Sequence, residues 1–329
     1  MGLHMSFQRR RFLQLAASAA AIGAVPRAAI GQSYPARPVR IIVGFPAGQA
    51  LDINTRIIAQ WLSERLSQQF IVENRPGAGG NLGTEAVVRA YPDGYTLVGV
   101  GSYNMINATL YEKLNFNFIR DIAPVASVTR VHQVMEVSPS FPAKTVPEFI
   151  AYAKSNPGNV TFASAGNGST SHVAGELFKM MTGVNMLHVP YRGAIPALTD
   201  LLGALVHVMF DNMPSSIEHI RAGRLRPLAV SATTRLDELP DVPTVDDFLP
   251  GFETSAWGGV GAPRDTPTEI IDILNRTINA GLADPKLKAR FADLGGKVLP
   301  LSPAEYGKRI AEETEKWAKV IKFAGIKPV

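Results

Sequence analysis

The sequence predicts an α/β protein of two lobes, each built on a mostly parallel sheet flanked by helices and joined to the other by crossing strands. Short apolar runs typical of buried strands alternate with segments of helical periodicity along most of the chain. The length of 329 residues is too great for one small core and fits two domains of ordinary size. A late apolar run at 256–262 would return the chain to the first domain. Strands that cross in this way would leave a cleft between the lobes.

The N-terminal segment is predicted to be an export signal. Residues 8–14, QRRRFLQ, are basic, and residues 15–25 form an apolar run that is too short to span a bilayer. Consecutive arginines followed by Phe and Leu resemble a twin-arginine signal, although Gln14 in the last position leaves the general secretory route open. We expect residues 1–32 to be removed after cleavage near Ala29. This predicts a soluble protein of the bacterial periplasm.

Composition narrows the possible functions. Removing residues 1–32 takes away four arginines and no acid, so 33 basic residues become 29 against 28 acidic ones, a net charge of +1. No basic stripe with interleaved aromatic residues indicates nucleic-acid binding. The absence of cysteine excludes disulfides, thiolate chemistry and thiolate metal sites. The histidines show no i, i+4 pair beside a carboxylate, so we expect neither a metal nor a cofactor.

The stretch at 159–193 carries the clearest candidate site. Its pattern is strand, loop, helix and strand, and the loop is unusually rich in small polar residues. Such a loop offers main-chain N–H groups and hydroxyls, and it ends at a helix N-terminus that favours an anion. The same residue types also build ordinary strand-to-helix turns, because they cap helices and tolerate unusual backbone angles. The candidate binding residues of this loop are Ala165, Gly166, Asn167, Gly168, Ser169, Thr170 and Ser171.

A second loop of this kind lies near the start of the predicted mature chain. An almost continuous apolar run at 39–45 predicts a strand buried on both faces, and Asp52 is predicted to open the following helix. Another candidate, Ser102, lies in a small polar segment after a predicted strand at 95–100. We expect the two loops to face each other. The candidates in the earlier loop are Pro46, Ala47, Gly48 and Gln49.

The remaining strand and helix signals in the sequence complete the two predicted lobes. Capping residues at Thr145, Thr266 and Ser302 predict helix starts. We expect the chain to leave the first lobe near residue 133, which assigns 33–133 and 256–329 to lobe 1 and 134–255 to lobe 2. Further strands are predicted at 70–73, 123–128, 131–137, 160–163, 186–189, 206–210 and 225–231, and further helices at 84–89, 194–202 and 215–222.

Two other functions, dinucleotide binding and hydrolysis, lack their complete sequence motifs in this chain. The glycine-rich run from Gly77 fails the dinucleotide fingerprint, because its sixth position is Leu82. Ser171, His172 and Asp211 supply the residue types of a hydrolase triad, but Ser171 lacks a G-x-S-x-G elbow. Adjacent residues on a helix also point about 100 degrees apart. A periplasmic hydrolase using the same cleft is therefore the alternative function.

Two further side chains are candidates for contact with a ligand. Asp211 ends an apolar strand at the carboxyl edge, where ligands of open α/β sheets bind. It is equally suited to cap the helix that starts near Pro214. Tyr191 and Arg192 end a neighbouring strand, where a solvated turn is the alternative to a binding role.

Seven sequence motifs follow one another along nearly the whole predicted mature chain: FPAGQALD at 45–52, VENRPGAGGNLG at 72–83, PDGYTL at 92–97, SAGNGSTSHVAGELF at 164–178, VPYRGAIPALTDLLG at 189–203, VMFDN at 208–212 and LPDVPTV at 239–245. Together and in this order they resemble the motifs of the Bug family, the extracytoplasmic solute receptors of tripartite tricarboxylate transporters. One departure is Gln49, where family members commonly have a second glycine, and another is Leu51 in place of Thr or Ser.

The resemblance implies a two-lobed periplasmic binding protein fold, type II-like, that closes on a small carboxylate. It implies recognition by main-chain amides, hydroxyls and bridging waters from the loops at 46–49 and 165–171, with Ser102 and Asp211 beside them. It also implies a monomer that delivers its ligand to the membrane permease subunits of the transporter and catalyses no reaction. A ligand sensor that feeds a two-component system would need the same features and is a further alternative.

Overall fold

Parallel strands and helices alternate in the first third of the chain. The computed structural model describes residues 34–326, so the predicted signal segment lies outside the described residues. Strands β2, β1 and β3 are parallel neighbours, and every residue of β3 is buried, as is typical of a strand covered on both faces. The elements are β1 (Val39–Val43), α1 (Ala50–Leu66), β2 (Phe70–Asn74), α2 (Asn81–Val88), β3 (Thr96–Gly101), α3 (Ser102–Leu110) and α4 (Phe118–Asp121).

Strand β4 (Ile122–Val137) replaces two strands that the sequence predicts separately, so that prediction was wrong. Thr129 and Arg130 lie between the two predicted strands, but neighbouring residues of a strand point to opposite faces and can each find a partner. Thr129 Oγ1 accepts a hydrogen bond from Asn54 Nδ2 at 3.2 Å, and Arg130 forms an ion pair with Glu253. The strand therefore continues through both polar residues.

The middle of the chain builds a second set of parallel strands. Strands β6, β5 and β7 are parallel neighbours, and β7 and β8 both pair antiparallel with β4. The predicted helix at 194–202 matches the observed one residue for residue. The elements are α5 (Val146–Ser155), β5 (Val160–Ser164), α6 (Thr170–Thr182), β6 (Met186–Pro190), α7 (Ala194–Leu202), β7 (Val208–Asn212), α8 (Met213–Arg221) and β8 (Arg226–Val230).

The last part of the chain returns to the first set of strands. Strand β9 lies antiparallel between β3 and β4, and α11 packs against both α3 and α6. Trp317 and Tyr306 of α11 are 0% and 1% exposed. The last helix therefore contacts helices that belong to both sets of strands. The elements are β9 (Ser255–Pro263), α9 (Thr268–Ala283), α10 (Pro285–Asp293), β10 (Lys297–Val298) and α11 (Pro303–Ala324).

Strands β4 and β9 connect the two parallel sets. The strand order is β2-β1-β3-β9-β4-β7-β5-β6. Strand β4 pairs with β9 as far as His132 and with β7 from Gln133 onward. This mixed α/β architecture confirms the predicted fold class. The residue limits of the two lobes, 33–133 with 256–329 and 134–255, remain a prediction.

Helix α3 is an element that the sequence did not predict, because Ser102 to Asn104 was interpreted as a polar loop. Asparagine usually weakens a helix by competing for backbone groups. Here Asn104 Oδ1 accepts the Gly101 N–H at 3.0 Å, and Asn107 Nδ2 donates to the Gly79 carbonyl at 2.8 Å. Tertiary partners thus satisfy both side chains and allow the helix to form.

Candidate functional site

The loop between β1 and α1 contains the first group of candidate residues, and it is built around Asp52. Pro46, Ala47 and Gly48 are exposed, and Gln49 is half-buried. The Asp52 carboxylate, 2% exposed, accepts the Gly48 N–H at 2.9 Å.

Two further side chains complete the Asp52 network. Arg56 Nε donates to the Asp52 carboxylate at 3.0 Å and Asn74 Nδ2 donates to it at 2.8 Å. Burial raises the pKa of Asp52, but the hydrogen bonds from Arg56, Gly48 and Asn74 outweigh this effect and lower it. The carboxylate therefore stays ionised and holds the loop at the start of α1.

Some amides of this loop remain available to a ligand. Within the described part of the chain, the N–H groups of Ala47, Gln49 and Ala50 have no acceptor. They lie at the N-terminus of the 17-residue helix α1, whose dipole favours an anion. Because Asp52 is paired with Arg56 at 3.0 Å, its own charge is largely compensated there.

The loop between β5 and α6 satisfies four of the seven main-chain N–H groups of residues 165–171 with its own acceptors or those of β5 and α6. The Ala165 N–H donates to Ser171 Oγ at 2.9 Å, and the Gly166 N–H donates to Ser164 Oγ at 3.1 Å. The Ser169 N–H donates to the Gly166 carbonyl at 3.1 Å. Short polar side chains readily take backbone groups in this way. The loop is consequently a compact turn.

Three amides of the same loop and of the first turn of α6 remain unpaired. Those of Asn167, Thr170 and Ser171 have no acceptor among residues 34–326. Ser169 is the N-cap, and its Oγ accepts the His172 N–H at 3.3 Å. The sequence prediction of a capped helix N-terminus is therefore confirmed. Fewer main-chain N–H donors are therefore left for a ligand than the residue composition of this loop suggested.

Two buried histidines support this loop from the interior. His172 Nδ1 accepts the Gly168 N–H at 3.1 Å. Since a backbone N–H is always a donor, Nδ1 carries no proton and the neutral ring holds its proton on Nε2. His188 Nε2 lies 2.6 Å from Ser164 Oγ. His188 comes to this loop from strand β6, 24 residues further along the chain than Ser164.

A chain of close contacts links the loops to one another. A β-carbon at Gly193, the N-cap of α7, would lie 3.4 Å from Gln49 Nε2. A β-carbon at Gly166 would lie 3.0 Å from the Tyr191 carbonyl oxygen, and the Tyr191 N–H donates to the Ser164 carbonyl at 3.0 Å. The loop before α1 thus comes close to the loop before α7, and the Tyr191 N–H of the latter loop is hydrogen-bonded to the end of β5.

Helix α3 completes this chain of contacts. A β-carbon at Gly168 would lie 2.3 Å from Leu110 Cδ2. At the other end of α3, a β-carbon at Gly101 would lie 3.3 Å from Leu51 Cδ2 of α1. The three loops and α3 therefore form a ring of contacts, which we call the loop ring. The Gly48 and Gly168 loops both belong to it.

Ser102 lies at the start of α3, where β4 and β9 cross. Its Oγ accepts the Trp257 N–H of β9 at 2.7 Å, and the residue is 3% exposed. Nearby, Gln133 Oε1 accepts the Thr254 hydroxyl at 2.6 Å. These bonds join the crossing strands to the first turn of α3. The hydroxyl oxygen of Ser102 already has a structural partner.

Tyr191 and Asp211 are each held by a neighbouring helix. The Tyr191 hydroxyl donates to Asp200 Oδ2 of α7 at 2.6 Å, and burial together with Asp200 raises the pKa of Tyr191 to about 12. Asp211 is 1% exposed and accepts the hydroxyls of Ser215 and Ser216 of α8 at 2.5 and 3.0 Å. Asp211 is therefore not the cap of α8, which begins after the N-cap Asn212, because its partners in that helix are side-chain hydroxyls.

The residues of the alternative hydrolase triad do not contact one another. Ser171 Oγ contacts the Ala165 N–H and lies 3.0 Å from Ser169 Oγ. The nearest partner of His172 Nδ1 is Gly168, and the Asp211 carboxylate contacts serines of α8. A nucleophile, a base and an orienting acid must share hydrogen bonds. This arrangement lacks those bonds.

The fold and the loop ring define a class of protein. Two sets of parallel strands linked by crossing strands, with loops from both sets meeting in one place, are the features of a two-lobed periplasmic binding protein. The chain belongs to the receptors of tripartite tricarboxylate transporters, because a family model described as "Tripartite tricarboxylate transporter family receptor" matches residues 54–326. The resemblance to the Bug family is therefore confirmed.

Relatives and solved structures agree with this family. BugT of Bordetella pertussis is 37% identical over 298 residues, which cover 90% of this chain and 91% of BugT. A Rhodopseudomonas palustris protein solved with adipate is 36% identical and has a TM-score of 0.84, covering 90% of this chain and 100% of that one. MatC from Rhodopseudomonas palustris with bound malate is 32% identical with a TM-score of 0.80, covering 88% and 100%.

Within residues 34–326, no helix combines the length and the apolar composition needed to cross a bilayer.

Proposed function

We propose that this protein is a periplasmic receptor that captures a small carboxylate between the loop before α1 and the loop before α6. The observation that carries the proposal is the pair of helix N-termini whose unpaired amides belong to one loop ring. Ala47, Gln49 and Ala50 supply donors from one side, and Asn167, Thr170 and Ser171 supply them from the other. An anion between them would satisfy both groups.

The charge distribution of the two loops favours recognition of a ligand by helix dipoles and main-chain amides. Residues 46–50 and 165–171 contain no lysine or arginine. Asp52 is neutralised locally by Arg56, so the N-terminus of α1 can accept an external negative charge. Hydrogen bonds from neutral donors to a carboxylate are short and stronger than those between neutral groups. A ligand carboxylate is thus the natural partner of this site.

Closure about the crossing strands would complete the site. Only a closed state brings the donors of both loops to one ligand. The ligand therefore binds the closed state more tightly than the open state and shifts the population toward it. We place the hinge where β4 changes partner between His132 and Gln133, and at Ser255 where β9 begins. This assignment corresponds to lobes of 33–133 with 256–329 and 134–255.

The relatives support a carboxylate ligand. One similar structure was solved with adipate and another with bound malate. Both compounds carry two carboxylates at neutral pH. We propose that one carboxylate occupies the loop ring here and that Ser102, Tyr191 and Asp211 surround the rest of the ligand.

Calorimetry of the purified chain with mono-, di- and tricarboxylates tests this function. We expect at least one of them to bind, with simple primary alcohols of the same chain length as the control that lacks the charge. Binding of the alcohols as tightly as the acids would contradict an anion site, and so would no binding by any acid. A search for turnover of esters and amides, with Ser171→Ala as control, tests the proposal that the protein is not an enzyme.

The cellular context is part of the same proposal. We propose that the chain is exported with removal of residues 1–32, acts as a monomer, and passes its ligand to the permease subunits of a tripartite tricarboxylate transporter. The basic and apolar N-terminal pattern and the family support this. N-terminal sequencing of the periplasmic protein would show the cleavage site, and light scattering would show its mass. Ligand uptake in cells that lack the receptor tests the permease link.

A further inference from the structure

Two acidic side chains lie together in the interior beside the start of α8. Glu136 of β4 and Asp211 of β7 are 0% and 1% exposed. The antiparallel pairing of these strands sets Val134 opposite Asp211, and Glu136 lies two residues from Val134 on the same face of β4. The two carboxyl groups are therefore diagonal neighbours across the strand pair. At that spacing one side chain between them can contact both.

The side chain between them is Ser216 of α8, which is itself 0% exposed. Its Oγ lies 2.6 Å from Glu136 Oε1 and 3.0 Å from Asp211 Oδ2. A serine hydroxyl has one proton to donate, and an ionised carboxylate can only accept. Both contacts are hydrogen bonds only if one of the two acids keeps its proton and donates it. The single hydroxyl therefore requires a protonated carboxyl group beside it.

The partners of each acid show which one keeps the proton. Asp211 Oδ2 also contacts Ser215 Oγ at 2.5 Å, so two hydroxyls can stabilise a negative charge on Asp211. Glu136 contacts Ser216, and its Oε2 is buried without a hydrogen-bond partner within residues 34–326. An unpaired oxygen of an ionised carboxylate costs far more in the interior than an unpaired carbonyl oxygen of a neutral acid. The proton consequently belongs on Glu136.

No cation compensates a second negative charge in this pair. In the described part of the chain neither carboxyl group has a lysine or arginine partner. Burial lowers the pKa values of His132, His172 and His219, so these rings are neutral at neutral pH. The charged groups of the surrounding elements have other partners: Asp200 of α7 with Tyr191, Glu218 of α8 with Arg221, Glu176 of α6 with Lys179, Arg130 of β4 with Glu253, and Arg226 of β8 with main-chain carbonyls.

We propose that Glu136 is a neutral carboxylic acid at neutral pH and that its proton begins a hydrogen-bond chain through Ser216 to the ionised carboxylate of Asp211. Glu136 donates to Ser216 Oγ, and the Ser216 hydroxyl donates to Asp211 Oδ2. Every proton in this chain has an acceptor, and the pair carries one negative charge. Burial and the charge of Asp211 both raise the pKa of Glu136 well above its ordinary value, which agrees with this arrangement.

The proton chain connects β4, α8 and β7 next to a loop that we place at the ligand. Asn212, the N-cap of α8, follows Asp211, and its Oδ1 lies 3.5 Å from the Thr170 hydroxyl oxygen at the start of α6. Ionisation of Glu136 would leave one hydroxyl proton for two carboxylates of like charge. The stability that the raised pKa of Glu136 provides is complete below the ordinary value of 4.5 and is lost as pH rises through the raised value. The chain is thus an anchor of α8 that alkaline pH releases.

Infrared spectroscopy of the unliganded protein at pH 7.5 tests for the retained proton, whether or not a carboxylate binds. A protonated carboxyl group has a carbonyl stretching band that ionised carboxylates lack. We expect this band in the wild type, a lower frequency when glutamate carries a heavy carbon isotope, and loss of the band in Glu136→Gln. Glu218→Gln, with a side chain 75% exposed on α8, is the control and should keep the band.

Absence of the band from the wild type would overturn the proposal. A band that ignores the glutamate label would place the proton on another residue and would overturn it as well. The labelling experiment needs no substitution, so it decides the matter even if Glu136→Gln does not fold.

A matched pair of serine variants tests the chain itself. Ser215→Ala and Ser216→Ala each remove one hydroxyl from Asp211, but only Ser216→Ala also removes the acceptor of the Glu136 proton. We expect the acid band to move to higher frequency in Ser216→Ala, because the acid loses its hydrogen bond, and to stay in place in Ser215→Ala. Identical band positions in both variants would contradict a chain through Ser216.

Discussion

The imidazole ring of His172 lies face to face with that of His188, with ring centroids 3.8 Å apart and an interplanar angle of 7°. Both rings hold the loop before α6 from the interior, through Gly168 and Ser164. Burial lowers the pKa of His172 to about 3, with His188 and Lys179 adding to the effect, and burial lowers the pKa of His188 to about 4. Glu176 lies 4.0 Å from His172 but is paired with Lys179 at 2.9 Å. The stack is therefore neutral at neutral pH.

The histidine stack predicts that acid destabilises the protein. The unfolded chain takes up protons near the ordinary pKa of 6.5, whereas the folded stack stays neutral until about pH 4. The free energy of unfolding should fall as pH decreases from 6.5 to about 4, by about 2 kcal/mol for His172 between pH 6.5 and 4.5. Denaturant titrations at several pH values measure this slope. His172→Gln, which does not titrate, should reduce it, and an unchanged slope would contradict the assignment.

Asp211 predicts a pH dependence of the opposite sign. Burial raises its pKa from 3.8 to about 6, although hydrogen bonds from Ser215 and Ser216 act to lower it. The folded state therefore binds this proton more tightly than the unfolded state, and the stability it contributes is lost as pH rises from about 4 through 6. Asp211→Asn should be more stable than wild type at pH 7.5 and lose that advantage near pH 4. Exposed Asp241→Asn is the control and should show neither effect.

The substitution Gly168→Ala tests the packing of the loop ring against α3. Alanine there would place a β-carbon 2.3 Å from Leu110 Cδ2 at a φ of +74°. Gly183→Ala is a matched control, because its φ is +69° and nothing lies within 4 Å of a β-carbon. Both variants carry the backbone strain, but only Gly168→Ala carries the clash. We expect it to be less stable than the control by about 1 to 3 kcal/mol in denaturant titrations. Equal stabilities would show that the loop can move away from α3.

Substitutions at Thr170 test whether main-chain amides bind the ligand. It is the first residue of α6, where proline is tolerated, and the preceding Ser169 has φ of −70° and ψ of 159°, a conformation that proline accepts. Thr170→Pro therefore removes one N–H without breaking the helix, whereas Thr170→Ala removes the hydroxyl and the γ-methyl group and keeps the N–H.

We expect Thr170→Pro to weaken carboxylate binding about tenfold or more in calorimetry, because a hydrogen bond to a charged group contributes about 1.5 to 3 kcal/mol. Thr170→Ala should bind more tightly than Thr170→Pro. Equal affinities for both variants, with unchanged thermal stability, would contradict the use of this amide.

Local sequence determined most of the secondary structure and the position of the loops. Thr145, Ser169 and Ser302 accept hydrogen bonds from the first turns of their helices, and these contacts span only three residues, so the sequence pattern contains them. The alternation of buried strands with amphipathic helices predicted the α/β class and the family motifs predicted a two-lobed receptor. The same alternation predicted a turn between strand and helix after β1 and after β5, and the structure has a turn in both places.

Tertiary structure alone decided which donors remain for a ligand and how the loops meet. Composition could not show that Asp52 takes the amide of Gly48 and His172 that of Gly168, because each acceptor is held by a residue far away in sequence, Asn74 of β2 for Asp52 and His188 of β6 for His172. Nor could it show β4 running unbroken through Arg130, since the partner Glu253 lies more than a hundred residues away. The close packing of Gly168 against Leu110 of α3 is of this kind as well. Residues distant in sequence approach each other only when the two sets of strands are assembled, and no local pattern encodes that distance.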